Sequence, residues 1–389
     1  MSVTIGDKIY YGIKPLYYIS KLFGLAPFSI NSNKIIIKFM DYFIFGFWII
    51  FNISGFYIFL PQVIYELMFD RFDKLLLLWF FNCTMMFSKG IIFLIFNRPI
   101  ISRRKFLPKI LISLLNLDSE HFQNSIFRTK QRKLFILLCL IFSSMTTDYC
   151  LKSLYPTDLT RLGNVQEFYL YVNRLNSSII ILQFIISVTI LKEICKHVNQ
   201  LLVANLITKH RYNRISSFSL WYNCKTETMN NYCLINRNYS NFQHLRDIYI
   251  KIWDIFNSIN IYYQIYLLLE VLTNFSDSVL VIYYAMNVLK RTENLYCNIL
   301  SCYVSFCFFW MAKLCSDIEE QVKLSVIIVQ KFMLVSNIEH STLTELERFS
   351  FQLNNIKMEF NICGIFTMNL RFLSSFLGVA LTYLVILHQ

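Results

Sequence analysis

The sequence predicts an all-α membrane protein with seven transmembrane helices, a cytoplasmic N-terminus and an extracellular C-terminus. Three observations carry that prediction. Residues of the AVILMFWYC set make up 56% of the chain, mean hydropathy is +0.46, and only 16% are charged, where soluble domains carry about a quarter. The apolar residues gather in repeated runs of about 20, the length needed to cross a bilayer as a helix. The Lys and Arg residues, 37 against 24 acidic ones, alternate between rich and poor connections, as the positive-inside rule requires. A length of 389 residues would otherwise permit two or three soluble domains.

Segment 1–38 is a cytoplasmic N-terminal segment: its apolar pieces are broken by Lys8, Lys14, Lys21 and Lys34, leaving no signal-peptide core. Lys14–Phe28 reads as a short amphipathic helix on the inner membrane surface. Transmembrane helices 1–4 occupy 39–191, with spans Phe39–Leu60, Leu75–Phe96, Leu134–Leu154 and Leu170–Leu191 around the basic cytoplasmic loop 97–133. Segment 192–258 is a cytoplasmic helical extension and loop. ILKEICKHVNQLLVANL prolongs the fourth span, a polar stretch (209–240) follows, and LRDIYIKIWDIFNSIN restarts an amphipathic helix leading into the fifth span. Transmembrane helices 5 and 6 lie in 259–314, as Ile259–Leu289 and Leu295–Leu314, and 315–363 holds cytoplasmic helices. Within it Leu324–Val335 is apolar but too short to cross. The last span is Gly364–His388, within segment 364–389.

Two polar stripes interrupt these apolar runs. In the fifth span Glu270, Thr273, Asn274 and Asp277 fall on one helical face. Carboxylates facing lipid are costly, about 2.5–3.5 kcal/mol for Asp, so the face predicts either a ligand pocket or a polar contact with another helix, Arg174 among the partners. Facing candidates are Asp148, Tyr149 and Tyr155 of the third span, Tyr171, Asn173, Arg174 and Asn176 of the fourth, and Tyr296, Asn298 and Tyr303 of the sixth. Aromatic surfaces with a few hydrogen-bonding groups suit small organic ligands, although Tyr also anchors helices at membrane interfaces. In the seventh span Ser375, Gly378, Thr382 and Gln389 share a face, with Val385 and Ile386 filling its gap. A helix that is apolar on one side and small or polar on the other suits an oligomer whose subunits line a pore.

Other classes find little support. The basic residues follow membrane sidedness and are not interleaved with aromatics, so no nucleic-acid partner is expected. Membrane lipid is an expected partner. The 11 cysteines and six histidines show no metal-ligand spacing, and no metal or cofactor is expected. GxSxG, a Walker-type glycine loop and HExxH are missing, and Glu270/Asp277 is a weak acid/base pair, so an enzyme is not expected. A G-protein-coupled receptor is disfavoured by the topology, by the lack of Asp-Arg-Tyr after the third span and of Asn-Pro-x-x-Tyr in the seventh. A secondary transporter using intramembrane carboxylates is the alternative, although no internal repeat is visible.

Several phrases resemble the insect gustatory receptor family. They are TYLVILHQ (Thr382–Gln389), ELERFSFQL (Glu345–Leu353), NICGIFTMNLRFL (Asn361–Leu373), Leu245-Arg-x-Ile-Tyr249 and KPLYYISKLFGLAPF (Lys14–Phe28). Two departures stand in the signature: no Phe follows Gln389, and His388 fills a commonly aliphatic slot. The resemblance implies a ligand-gated, non-selective cation channel, a homo- or heterotetramer with other gustatory receptors, in the plasma membrane of chemosensory neurons. It implies that the cytoplasmic helices form an anchor domain and that four seventh spans surround the pore. Thr382, Val385, Ile386 and Gln389 would lie nearest the axis, and Tyr383 would brace the helix against its neighbour. The ligand would be a small organic tastant. In the sugar-sensing branch Glu commonly follows the signature Tyr, whereas Leu384 stands here, which tilts the expectation towards bitter compounds.

Overall fold

The computed structural model describes residues 17–22, 29–31, 34–36, 40, 43–44, 46–55, 57, 113, 164–210, 242–287, 294–334 and 340–388. The spans Leu75–Phe96 and Leu134–Leu154, the loop 97–133 and most of 209–240 lie outside them. Long helices dominate: α1 (Asn164–His210), α2 (Phe242–Asn287), α3 (Asn294–Met333), α4 (His340–Asn355) and α5 (Leu370–His388). Two antiparallel hairpins accompany them, β1 (Ser29–Asn31) with β2 (Lys34–Ile36), and β3 (Asn361–Ile362) with β4 (Phe366–Thr367). The prediction of an all-α chain had no place for the hairpins.

α1 is 47 residues long, about 70 Å at 1.5 Å per residue and more than twice a hydrocarbon core of about 30 Å. Neither Gly nor Pro interrupts α1, α2 or α3, so nothing in the backbone stops them. The amphipathic segment before the fifth span is one helix with that span, and the sixth span runs without a break through most of Leu324–Val335. Among the described residues, Tyr171–Ala204 of α1 is long and apolar enough to cross a membrane, and Gly46–Gly55 and Leu370–Thr382 are shorter apolar helices.

The chain divides into two compact units. One draws on residues up to Ile186, on Tyr262–Ala312 and on Asn361–Gln389; the other is Ser187–Ile261 with Lys313–Phe360. The second unit is a helical core. Leu245, Ile248, Tyr249, Ile252 and Phe256 of α2 are buried at three- and four-residue spacing with Ile194 and Val198 of α1, Ile318 and Val329 of α3, and Leu346 and Phe349 of α4. Ring pairs knit it together, Phe256–Phe360 at 4.6 Å, Phe242–Phe332 at 5.0 Å and Tyr249–Phe349 at 5.9 Å. One buried polar chain links three of its helices. Tyr249 donates to Ser325 (3.0 Å), Ser325 to Asn199 Oδ1 (2.5 Å), and Asn199 to the Gln321 carbonyl (2.9 Å). Burial pushes the Tyr249 phenol above its ordinary range, as does the nearby Cys195, and the Ser325 hydrogen bond only partly opposes them. Lys192–Asp317 (2.5 Å) and Arg246–Glu345 (2.9 Å) tie α1 to α3 and α2 to α4.

In the first unit, residues 17–22 are helical, and Tyr17 and Ser20 are buried. Gln183 of α1 donates to Ser20 Oγ (2.7 Å) and Trp48 Nε1 to the Leu22 carbonyl (2.8 Å). This piece packs on protein through Tyr17 and Ser20, while Tyr18 and Leu22 are exposed.

α5 starts at Leu370, not at Gly364. Cys363 (φ 52°) and Gly364 (φ 76°) take left-handed conformations in the β3–β4 turn, which breaks any helix drawn through them. Asn369 then caps the new helix, its Oδ1 accepting from the Phe372 N–H at 2.9 Å. The 19 residues that remain span about 28 Å, close to one hydrocarbon thickness.

Candidate functional site: two polar faces in the first unit

The fifth-span stripe lies on α2, and Glu270, Thr273 and Asn274 are all buried. Its principal partner on α1 is Ser177. Ser177 Oγ donates to Glu270 Oε2 (3.1 Å) and lies 2.6 Å from the Tyr266 hydroxyl, which also reaches the Ser177 carbonyl (3.1 Å) and Glu270 Oε2 (3.3 Å). Asn274 Nδ2 donates to Glu270 Oε1 at 3.4 Å. With the Ser177 proton on Glu270, the Tyr266 proton is available to serine or carboxyl oxygens, so the three groups form one chain. Thr273 donates to the Leu269 carbonyl, and Ser276 and Ser278 likewise bond back to their own helix.

The helices are antiparallel here. Phe184 of α1 meets Tyr263 of α2 (5.3 Å between ring centres), and the earlier Ser177 meets the later Tyr266 and Glu270. One more turn along, the same register places Asn173 level with Thr273 and Asn274. Asn173 and Asn176 are buried, and the Asn173 amide has no hydrogen-bond partner for either of its polar atoms, nor Asn176 for its Oδ1.

The second face is on α5. Phe376 and Ala380 are buried, with ring contacts Phe275–Phe376 (5.7 Å), Phe308–Phe376 (4.9 Å) and Phe308–Phe372 (6.4 Å) seating the helix on α2 and α3. Phe366 of β4 stacks on Phe372 at 4.1 Å. Ser375, Gly378, Thr382 and Val385 are exposed on the other side. Thr382 donates to the Gly378 carbonyl (2.9 Å) and Ser375 to the Arg371 carbonyl (3.4 Å), so their hydroxyls are satisfied within the helix. Leu377 and Leu381 are exposed as well.

Glu270, Thr273, Asn274 and Asn173 are thus on facing helices. Arg174, Asp277, Tyr296 and Tyr303, like Tyr383 and Ile386 on α5, sit on described helices while their side chains lie outside what is described. Asp148, Tyr149 and Gln389 lie outside the described residues altogether. Sequence reasoning missed Ser177 and Tyr266. Both carried a signal: Tyr266 is one turn before Glu270 on the same stripe, and Ser177 one turn after Asn173.

Residues 13–389 match the family described as 7tm Chemosensory receptor. No curated protein sequence matches the chain. Among solved structures, the insect olfactory receptor OR5 from Machilis hrabei superposes with a TM-score of 0.68 at 15% identity, covering 99% of both chains. The same receptor in complex with eugenol gives 0.66, again at 15% identity and 99% coverage of both. At that identity the likeness speaks for the fold, the seven-transmembrane fold of an insect olfactory receptor. The match along nearly the whole sequence speaks for the family: this chain is a membrane protein that belongs to the seven-transmembrane chemosensory receptors.

Proposed function

We propose that the chain is a gustatory receptor, a ligand-gated non-selective cation channel and not an enzyme, that opens in response to small organic tastants, bitter compounds ahead of sugars. It works in the plasma membrane of a chemosensory neuron as a homo- or heterotetramer. The observation that carries this reading is the two-sided α5. Its aromatic side (Phe372, Phe376) is seated within the subunit, while Ser375, Gly378 and Thr382 are exposed and apolar Leu377 and Leu381 flank them. A capped helix of membrane-crossing length with small polar groups on its outward side supports a pore wall shared between copies. α2 supports the coupling, since it bears both the Glu270 cluster and Phe275 against α5. Ligand bound at the first biases the second only by preferring the open arrangement. The eugenol complex of the Machilis receptor supports a small organic ligand.

Patch-clamp recording from cells expressing this chain, challenged with bitter and sugar panels, tests the reading. Ligand-evoked unitary cation currents without added G-protein are expected. Slow substrate-coupled flux without current steps, at confirmed surface expression, would sink it in favour of a transporter. Gln389→Ala is expected to change gating or conductance at unaltered surface expression, and unchanged currents would remove Gln389 from the pore.

A further inference from the structure

We infer that Asn173 and Asn176 form the recognition element for a neutral ligand carrying at least two hydroxyl groups, bound between α1 and α2 beside the Ser177–Tyr266–Glu270 chain. The inference deepens the receptor reading above and rests on it for physiological meaning only, because binding is measurable without a channel.

Asn173 is 3% exposed and Asn176 5% exposed, yet Asn173 Nδ2, Asn173 Oδ1 and Asn176 Oδ1 have no hydrogen-bond partner. Buried polar atoms are nearly always paired, and an orphan costs the full desolvation of its group. Their neighbours show the contrast. On the same face of α1, one turn from Asn173, Ser177 is fully engaged with Tyr266 and Glu270. Three unpartnered amide atoms on two asparagines three residues apart, about 4.5 Å along the axis, are therefore groups held ready for a molecule that enters.

The atoms left over define that molecule. Two carbonyl oxygens require two donors, and one amide N–H requires an acceptor. An anion supplies no donors and meets the Glu270 carboxyl nearby. An ammonium supplies donors but leaves Asn173 Nδ2 orphaned. Hydroxyls do both, each donating once and accepting in turn. A neutral polyol or polyphenol satisfies all three atoms, and its O-methyl ether satisfies only one.

The test uses the purified full-length protein in detergent with catechol, resorcinol and myo-inositol, each paired with its fully O-methylated ether. At least one hydroxylated compound is expected to raise the melting temperature, and its ether to leave it unchanged. Asn173→Leu, close in shape, is expected to weaken that binding by about tenfold or more. Without ligand the variant should melt no lower than the parent, since it removes an unpartnered amide; a structural asparagine would behave oppositely. Asn176→Leu serves as the second variant and should act likewise. Failure of every hydroxylated compound, equal binding of the ethers, or unchanged binding by Asn173→Leu overturns the proposal. Hydroxyl-dependent binding without evoked current keeps this site and removes the channel reading. Evoked currents indifferent to both substitutions do the reverse.

Discussion

Two stripes of small and polar residues run along apolar helices of this protein, and their fates differ. On α2, Glu270, Thr273 and Asn274 are buried, and Glu270 is drawn into a chain of hydroxyls that crosses to α1. On α5, Ser375, Gly378 and Thr382 stay exposed, and the Ser375 and Thr382 hydroxyls return to carbonyls of their own helix. The helical spacing that reveals them is the same. What differs is chemistry: a carboxylate has no proton to return to the carbonyls of its own helix, whereas Ser and Thr hydroxyls have one. The α2 stripe therefore needs a neighbour in the same subunit. The α5 stripe tolerates having none, which leaves it available to water, ions or another copy.

Breaking that contrast should have its largest effect on α2. The double variant Ser177→Ala/Tyr266→Phe removes both hydroxyl donors from Glu270 Oε2, and we expect a loss of about 3 kcal/mol, measured as a lower midpoint of thermal unfolding in detergent. Adding Glu270→Leu should recover part of that loss, because the stranded carboxyl is then gone; a further drop would show that the carboxyl has other essential partners. Next, Asn369→Ala should cost about 1 kcal/mol by leaving the α5 N-terminus uncapped, while Asn369→Asp retains most of it. Equal behaviour of the two variants would remove the cap from the account. Tyr249→Phe in the second unit should cost about 0.5–1.5 kcal/mol, since it deletes one hydrogen bond and leaves the Phe349 ring contact in place.

The smallest stability change should come from Thr382→Val, within about 0.5 kcal/mol, because its hydroxyl bonds only to its own helix. The same substitution should alter unitary conductance, and a large unfolding shift with unaltered conductance would mean that the α5 stripe is a packing face after all. Gly378→Ala sharpens the comparison further. An added Cβ meets nothing within 4 Å, so the isolated subunit should be no less stable. Weakened assembly on native gels would place another copy against that position.

Much of this was legible beforehand, for reasons particular residues make plain. The stripe on α2 was readable because Glu270 and Asn274 stand out in an apolar run, and the buried face of that helix followed from spacing. Ser177 was not read, because a serine in a transmembrane run bonds its own backbone as readily as it crosses to a neighbour. The start of the last helix was misplaced because Ile365, Phe366 and Met368 continue its hydropathy; only the left-handed backbone at Cys363 and Gly364, with the Asn369 cap, ends the run.

By itself the sequence determined the membrane class, the helical periods and which residues share a face, since those depend on chain-local quantities: apolar length, charge asymmetry and a repeat of 3.6. The tertiary structure alone decided which face meets which. It set the antiparallel register of α1 on α2, joined Tyr266, Ser177 and Glu270, and left both polar atoms of Asn173 and the Asn176 Oδ1 without partners. Those are facts about distances between residues far apart in the chain, where hydrogen bonds form or fail over about half an ångström, and no local pattern encodes them.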